Sequence, residues 1–372
     1  MPGLRPGARD AGPDQDARLR SGRLACAGAG APVALNHDAA GRDEGLSGLP
    51  GFASLGAPDF RRHALQADGV AWPEKNCYAD LWIGLLHALG LEPRAMLGFT
   101  AAVDFEGDQW TFFKPPPSDL RLLYGIDVQE LTVWRPLLEH VEECLSAGRL
   151  VSTESDAWWL PDTAGTDYRR QHTKTTILIV RLDRPAQRLG YFHNGGYFEL
   201  QDEDFRGLFR IGLPPDPGFM PFFAETVRID RLRRRAPESL AAPAWDLLRE
   251  HVGWRPDGNP FLRFARRIEA DLPQIRAAGL AHYHQWAFAS IRQAGSAFEL
   301  LAAHLRWHQG LGRSGLAEAA GHFDAIAQAN KALILKGARA VATGKPLGAD
   351  ELLHSMAADW DAGMAKTVAA LG

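Results

Sequence analysis

Residues 76–89 read NCYADLWIGLLHAL, and this stretch carries the first indication of the fold. Large apolar side chains recur in it at the three- and four-residue spacing of one helix face, which predicts an amphipathic helix. Asn76 is a favourable N-cap and Gly90 a favourable stop. Cys77 therefore falls in the first turn of a helix, where unpaired backbone N–H groups favour an anion.

A pair of strands is predicted beyond this helix. The run Thr175–Leu182 contains ILIV at 177–180, which indicates a strand buried on both faces. A turn signal, DRPA at 183–186, separates it from the returning strand Leu189–His193. Shorter strand-like runs precede the pair at Val103–Phe105, Trp110–Phe113 and Leu150–Trp159. Beyond about residue 238 the pattern is helical, with long stretches at about 281–309, 315–342 and 349–371.

Composition excludes several classes of protein. The 372 residues have a formal net charge of −4, which argues against nucleic-acid binding through bulk positive charge. No apolar run is long enough for a membrane helix, and there is no secretory signal. Three cysteines are too few for a disulfide framework, so a reducing cytoplasm is expected. No phosphate-binding loop or dinucleotide fingerprint is present, and no cofactor is predicted.

The chain is predicted to have three parts. Residues 1–57 are rich in Gly, Ala and Pro, and the first 50 contain no aromatic residue, so a disordered leader is expected. Residues 58–225 form an α+β domain, which ends in a Pro/Gly hinge at 211–221. Residues 226–372 form an α-helical domain.

Cys77 is the candidate nucleophile, because a helix N-terminus can lower the pKa of a thiol. A thiolate nucleophile needs a base, and the base needs an orienting group. His172 stands at the entrance of the buried strand, and Asn194 at the exit of the returning strand. His193 is a rival base, although successive strand residues face opposite sides of a sheet. The alternative is that Cys77 is a buried structural residue.

Four segments together resemble the N-terminal domain of butirosin biosynthesis protein H. They are NCYADLWIGLLH at 76–87, EGDQWTFFK at 106–114, DAWWLP at 156–161, and the strand that follows His172. The match is closer to an uncharacterised bacterial family that shares YFHN at 191–194 and the helical C-terminal part. The resemblance covers about residues 58–310.

The resemblance implies a papain-like fold and transfer of an aminoacyl group from a carrier-protein thioester to an amine. It makes Cys77 the nucleophile, His172 the base and Asn194 the orienting residue, with Asp156 in a neighbouring strand near the cleft. Papain-like enzymes usually carry a glutamine six residues before the cysteine, where this chain has Ala71. Asn76 or another amide would then have to bind the oxyanion.

Other residues are assigned by position. Trp110 and His193 join Asn76 and Asp156 as cleft candidates. A basic cluster follows the hinge and is either a solvated linker or a binding surface for an acidic carrier protein or its phosphopantetheine phosphate. Its members in that second role are Arg231, Arg233, Arg234 and Arg235. His304 and His308 lie one helical turn apart without a third ligand, so surface positions are expected and no metal is predicted.

The leading hypothesis is therefore an acyltransferase with a Cys77–His172–Asn194 triad, an acyl or aminoacyl carrier protein as partner, and no nucleic-acid or membrane partner. The second hypothesis is a cysteine hydrolase, either a peptidase or a thioesterase, in which water replaces the amine. The third is a non-catalytic scaffold in which Cys77 is only buried.

Overall fold

The structure is a computed structural model that describes residues 55–214 and 221–372, the strand at 46–48 and Phe52. The helices of the N-terminal part are α1 (Cys77–Ala88), α2 (Pro117–Tyr124), α3 (Leu137–Ser146) and α4 (Asp202–Leu208). Its strands are β1 (Leu46–Gly48), β2 (Phe105–Glu106), β3 (Gln109–Trp110), β4 (Asp127–Glu130), β5 (Arg149–Asp156), β6 (Lys174–Asp183), β7 (Arg188–His193), β8 (Gly196–Gln201) and β9 (Ala224–Arg228).

An antiparallel sheet organises the N-terminal part. Six strands lie in the order β4-β9-β5-β6-β7-β8, and β1 pairs with the far end of β6. At one edge of this sheet β5 and β7 end while β6, β8 and β9 begin. We call it the Asp156 edge, after the last residue of β5. The predicted mixed α/β domain is confirmed at this level.

Helix α1 has the predicted start and packs across one face of the sheet. It begins at Cys77 after the Asn76 cap and runs to Ala88. Gly84 faces β7 so closely that an added Cβ would lie 3.1 Å from the Phe192 ring. A residue with a side chain at this position would have to displace the ring, so the close approach of α1 to the sheet depends on this glycine.

The strand pair β6–β7 agrees with the predicted pair, whereas the predicted strand Leu150–Trp159 is too long. Strand β5 stops at Asp156, whose side chain accepts a hydrogen bond from the Trp158 N–H at 3.0 Å. That bond starts a short 3₁₀ turn at Ala157–Trp159. Local side-chain-to-backbone bonding thus overrides the strand-like composition.

The predicted disordered leader extends too far along the chain, because part of it is structured. Strand β1 lies inside it and pairs with Arg181–Asp183 of β6. Phe52 is 2% exposed, and its ring lies 6.0 Å from that of Phe192. Backbone pairing needs no aromatic side chain, which is why composition missed this strand. The remainder of the predicted leader lies outside the described residues, as do residues 215–220 of the predicted hinge.

The C-terminal part is helical, as predicted. Its helices are α5 (Pro237–Gly253), α6 (Pro260–Ala289), α7 (Ile291–Gly310), α8 (Leu316–Thr343) and α9 (Asp350–Leu371). The expected single stretch at 281–309 is instead broken at Ser290, whose ψ of −76° lies outside regular helix geometry. Among the described residues, no helix combines the length and apolarity needed to cross a membrane.

An aromatic cluster joins the two parts. Trp110 of β3 is 3% exposed, and its ring lies 4.9 Å from Phe261 and 5.6 Å from Phe264, both on α6. Phe298 of α7 completes the contact at 6.3 Å. Trp110 therefore lies in the core between the sheet domain and the helices, which corrects its assignment to a cleft wall.

Candidate active site

Cys77 occupies the first position of α1, and it is half-buried. The Asn76 side chain caps this helix: its Oδ1 accepts a hydrogen bond from the Ala79 N–H at 2.8 Å, and its Nδ2 donates to the Phe113 carbonyl at 2.9 Å. Among the described residues the Cys77 thiol has no hydrogen-bond partner. The first turn of α1 presents backbone N–H groups that have no partner within the helix.

The first turn of α1 is anchored on two sides. On one side, the Tyr78 hydroxyl donates a hydrogen bond to Glu225 Oε2 at 2.9 Å. On the other side, the buried Asp80 carboxylate accepts from Gln66 Nε2 at 2.9 Å and from the Lys75 N–H at 2.6 Å. Burial raises the pKa of Asp80 to about 6, although the positive charge of Lys75 opposes the shift. The orientation of the turn is therefore fixed by buried polar contacts.

These anchors place the start of α1 at the Asp156 edge. Glu225 lies near the start of β9, and the Gln66 side chain lies 3.4 Å from the position of a Cβ on Gly195, in the β7–β8 turn. Strands β5 and β6 lie between β9 and β7 in the sheet. Asp156 ends β5 and His172 precedes β6, so both lie at the same edge, between the two anchors.

His172 is paired with Asp156. Its Nδ1 lies 2.6 Å from Asp156 Oδ2, and its ring stacks on Trp158 at a centroid distance of 4.7 Å. The His172 side chain is 69% exposed, and its Nε2 has no hydrogen-bond partner among the described residues. A carboxylate on Nδ1 fixes the tautomer in which Nε2 can accept a proton. The pair has the geometry of a general base with its orienting group.

His193 lies on the other face of the sheet. Its Nδ1 is 2.5 Å from Asp162 Oδ2, and its Nε2 is 2.7 Å from Thr175 Oγ1. Tyr191 donates a second hydrogen bond to Asp162 at 2.5 Å. Only 1% of the His193 side chain is exposed. With both ring nitrogens engaged, His193 has none free for Cys77. The rival base is thereby placed in a buried polar cluster, whose Asp162 was not singled out from the sequence.

Asn194 occupies the two-residue turn between β7 and β8. Its backbone φ of 46° lies in the left-handed region, which asparagine tolerates better than most residues. The described hydrogen bonds join His172 to Asp156 and not to Asn194. The structure thus brings the predicted base together with the neighbouring-strand aspartate, and it places the predicted orienting amide in a turn.

The oxyanion role predicted for Asn76 meets a geometric obstacle. Both ends of its amide are engaged, one as the helix cap and one on the Phe113 carbonyl. Gln66, the nearest glutamine before Cys77 in the sequence, uses its NH₂ group on Asp80. Both N–H groups of Gln66 are engaged, whereas Asn76 keeps one N–H of its amide, so the backbone N–H of Cys77 and other groups would have to supply the remaining oxyanion contacts.

Sequence reasoning missed a buried charged network next to the site. The Lys75 ammonium donates to the carbonyls of Leu65 and Trp72 and lies 3.3 Å from Glu299 Oε2 on α7. Glu299 also accepts hydrogen bonds from the Ala71 N–H at 2.6 Å and the Trp72 N–H at 3.1 Å. Burial lowers the pKa of Lys75, and the Glu299 charge opposes this shift. No spacing in the sequence connects residue 75 with residue 299.

The basic cluster divides into two pairs. Arg234 donates a hydrogen bond to the Leu89 carbonyl. Arg235 donates one to the Leu122 carbonyl at 3.2 Å. Arg231 and Arg233 instead line a cavity of about 360 Å³. Its other lining residues are Arg121, Gly125, Asp127, Gln129, Arg228 and Asp230. The cluster is therefore attached to the sheet domain, and its cavity carries an excess of positive charge.

The surface positions predicted for His304 and His308 are wrong. Both are fully buried on α7, and within the part of the chain that the structure describes, only the Nδ1 atom of His304 has a hydrogen-bond partner, the Arg94 carbonyl at 2.7 Å. Burial lowers the pKa of His304 to about 4 and that of His308 to about 3. Within residues 55–214 and 221–372, no three His, Cys, Asp or Glu side chains are grouped as metal ligands.

Comparison with protein families gives two adjoining matches. Residues 61–229 match the DUF1839 N-terminal domain, and residues 238–370 match the DUF1839 C-terminal domain. The boundary between the matches falls close to the predicted boundary at 225/226. No curated protein matches the chain. The similarity to butirosin biosynthesis protein H and the papain-like fold remain predictions.

Proposed function

The chain belongs to the DUF1839 family, and we propose that it is an acyltransferase that forms a thioester on Cys77. The observation that carries the proposal is the His172–Asp156 pair at the Asp156 edge, the edge at which α1 begins with Cys77; among the described residues no hydrogen bond joins Cys77 to His172. A thiol at a helix N-terminus and an oriented imidazole are the two groups that covalent acyl transfer requires.

In the proposed reaction, His172 Nε2 takes the thiol proton and Asp156 holds the imidazole in the required tautomer. The Cys77 sulfur attacks the carbonyl carbon of an acyl thioester, and the departing thiol takes the proton from His172. An amine then attacks the Cys77 thioester, with His172 again acting as base. The exchange of one thioester for another is nearly balanced in free energy, so one cysteine can both accept and release the acyl group.

An acyl or aminoacyl carrier protein is the proposed donor. Carrier proteins of this chemistry present the acyl group on a phosphopantetheine arm, and the arginine-lined cavity at Arg231 and Arg233 offers donors for its phosphate. Replacing both residues with glutamate should weaken capture of the carrier protein, whereas Arg306→Glu on α7 should not. Wild-type capture should weaken as salt rises, because exposed charges are screened over ~8–10 Å. Binding that is independent of salt would remove this cavity from the proposal.

The direct test is incubation with a panel of aminoacylated carrier proteins, followed by intact mass spectrometry. The expected result is a mass increase equal to one acyl group, mapped to Cys77 and absent in Cys77→Ala. Cys144→Ser is the matched control, since Cys144 is buried and free but lies on α3. Absence of an adduct across the panel, with the Cys77 thiol intact, would contradict the proposal.

Hydrolysis is the second candidate, and the exposure of His172 favours it. A base that is 69% exposed is accessible to water, which competes with an amine for the Cys77 thioester. The two functions separate after loading. Release of free acid at the same rate with and without added amine indicates a hydrolase, whereas amide formation that outpaces acid release indicates a transferase.

A further inference from the structure

The helical domain reaches the candidate nucleophile through the segment Ala71–Lys75, which leads into α1. Trp72 lies so close to α7 that a Cβ on Gly295 would be 2.6 Å from its ring, and its Nε1 donates to the Ala327 carbonyl at 3.1 Å. Glu299 of α7 binds the N–H groups of Ala71 and Trp72. The segment before Cys77 is therefore held by α7 and α8, not by the sheet.

Arg292, near the start of α7, contacts the segment that leads into Cys77. Its Nε donates a hydrogen bond to the Lys75 carbonyl at 3.0 Å, and its guanidinium carbon lies 4.0 Å from the centre of the Phe288 ring. The two terminal nitrogens have no hydrogen-bond partner among the described residues. Burial lowers the pKa of Arg292, while negative charge on Asp80, Glu74 and Cys77 opposes the shift. A guanidinium with two available nitrogens therefore lies against the backbone two residues before Cys77.

We propose that Arg292 is the anion-binding group of the Cys77 site, supplied by the C-terminal domain. It stabilises the thiolate and then the oxyanion that forms when the sulfur attacks an acyl carbonyl. The role in acyl transfer rests on the proposed function, whereas the thiolate contact does not. Arg292 would also supply oxyanion donors beyond the one N–H that Asn76 keeps, because the amides of Asn76 and Gln66 already make other hydrogen bonds. A guanidinium presents several donors in a fixed planar arrangement.

The chemical step follows directly. As the Cys77 sulfur bonds to the carbonyl carbon, the C=O π electrons move to oxygen, and the resulting negative oxygen faces the guanidinium. Collapse restores the C=O bond and breaks the bond to the departing sulfur, which takes the proton from His172. The charge of Arg292 favours the states in which sulfur or oxygen is negative.

Other charged groups also face this region, and the test must separate Arg292 from them. They are Glu74, Lys75, Asp80, Glu225 and Glu299. The ratio of Cys77 alkylation rates with iodoacetate and iodoacetamide reports local positive charge, because only iodoacetate is an anion. In Arg292→Gln we expect this ratio to fall roughly fivefold. Arg292→Lys should retain most of the ratio, and Arg306→Gln on the same helix should leave it unchanged.

A folded Arg292→Gln protein, judged by its near-UV circular dichroism, that keeps the wild-type ratio overturns the proposal. If the variant does not fold, the wild-type ratio at Cys77 is compared with that of glutathione, and a ratio no higher than the glutathione value also overturns it. Transfer by Arg292→Gln should be slower by about 10²–10³-fold. Failure of all carrier proteins to load Cys77, with the alkylation ratio still dependent on Arg292, would remove the proposed function and leave the anion site. If Arg292→Gln transfers acyl groups at the wild-type rate, the anion-binding role of Arg292 is removed and the proposed function remains.

Discussion

Two histidine–aspartate pairs lie near the Asp156 edge and differ mainly in their exposure to solvent. His172 lies 2.6 Å from Asp156 and is 69% exposed, whereas His193 lies 2.5 Å from Asp162 and is 1% exposed. His172 keeps one ring nitrogen available, while His193 uses its second nitrogen on Thr175. The first pair is open to solvent at one ring nitrogen, whereas the second is enclosed and has both ring nitrogens engaged. Position relative to the sheet, not residue type, separates the candidate base from a structural histidine.

The largest effect should come from disabling the exposed pair together with Cys77. Cys77→Ala and His172→Ala should each reduce acyl transfer by about 10³-fold or more, and the double variant should be scarcely worse, because residues that act as one unit are not additive. Asp156→Asn should lower kcat by roughly 10²–10⁴-fold by favouring the wrong tautomer. Steady-state rates on one carrier-protein substrate provide the measurement. Full activity in His172→Ala would mean that His172 is not the base.

The buried pair should dominate stability instead. His193→Ala leaves the buried Asp162 carboxylate with the Tyr191 hydroxyl but without its histidine, and we expect the free energy of unfolding to fall by about 3 kcal/mol. His172→Ala removes an exposed contact and should cost less than about 1 kcal/mol. Urea denaturation of both variants tests this contrast. Equal losses would mean that burial does not distinguish the two pairs.

A third histidine, His308, is also buried, and its burial should make the stability of the protein depend on pH. Burial lowers the pKa of His308 to about 3, and neither ring nitrogen has a partner. The unfolded chain therefore binds a proton at this residue before the folded chain does, and stability is lost as pH falls from about 6.5 towards 3. His308→Leu should reduce the loss between pH 7 and pH 4.5 by about 2–3 kcal/mol. The exposed His354 serves as control, and an unchanged slope in His308→Leu would contradict the assignment.

The smallest effect is expected at Asn194. Its side chain does not contact His172 Nδ1, which Asp156 occupies, so Asn194→Ala should change kcat by less than about threefold, as expected for a residue outside the proton path. Asn194→Gly, which relieves the left-handed backbone conformation, is the matched control for turn effects. A loss as large as that of Asp156→Asn would restore Asn194 as the orienting residue.

Local patterns were sufficient for the secondary structure that surrounds the site. The Asn76 cap, the helix from Cys77 and the β6–β7 pair agree with the structure, because caps, helical spacing and turn residues act over a few neighbouring positions. Alternation along a strand did not apply to Asn194, because the strand ends at His193 and Asn194 lies in the following turn. Three predictions failed for other reasons. A single hydrogen bond to Asp156 ends strand β5, and a break at Ser290 divides the predicted helix. Strand β1 was missed because it forms by pairing with a distant strand.

The partners of the candidate site residues lie beyond such patterns. Asp156 was expected near the cleft, but its pairing with His172 depends on the register of β5 against β6. Asp162, Glu299 and Arg292 reach their partners across long stretches of chain, and their sequence neighbourhoods carry no mark of these contacts. Hydrophobic periodicity likewise did not distinguish the buried His304 from a surface histidine.

The sequence by itself determined a capped helix that begins at Cys77, a buried strand pair and a helical C-terminal part. It did so because each depends on interactions between residues close in the chain. Only the tertiary structure decided that Asp156 is the partner of His172, that His193 is enclosed, and that Arg292 of α7 contacts the segment before the candidate nucleophile. These outcomes depend on sheet register and helix packing, which bring together residues whose separation in sequence carries no information about their distance in space.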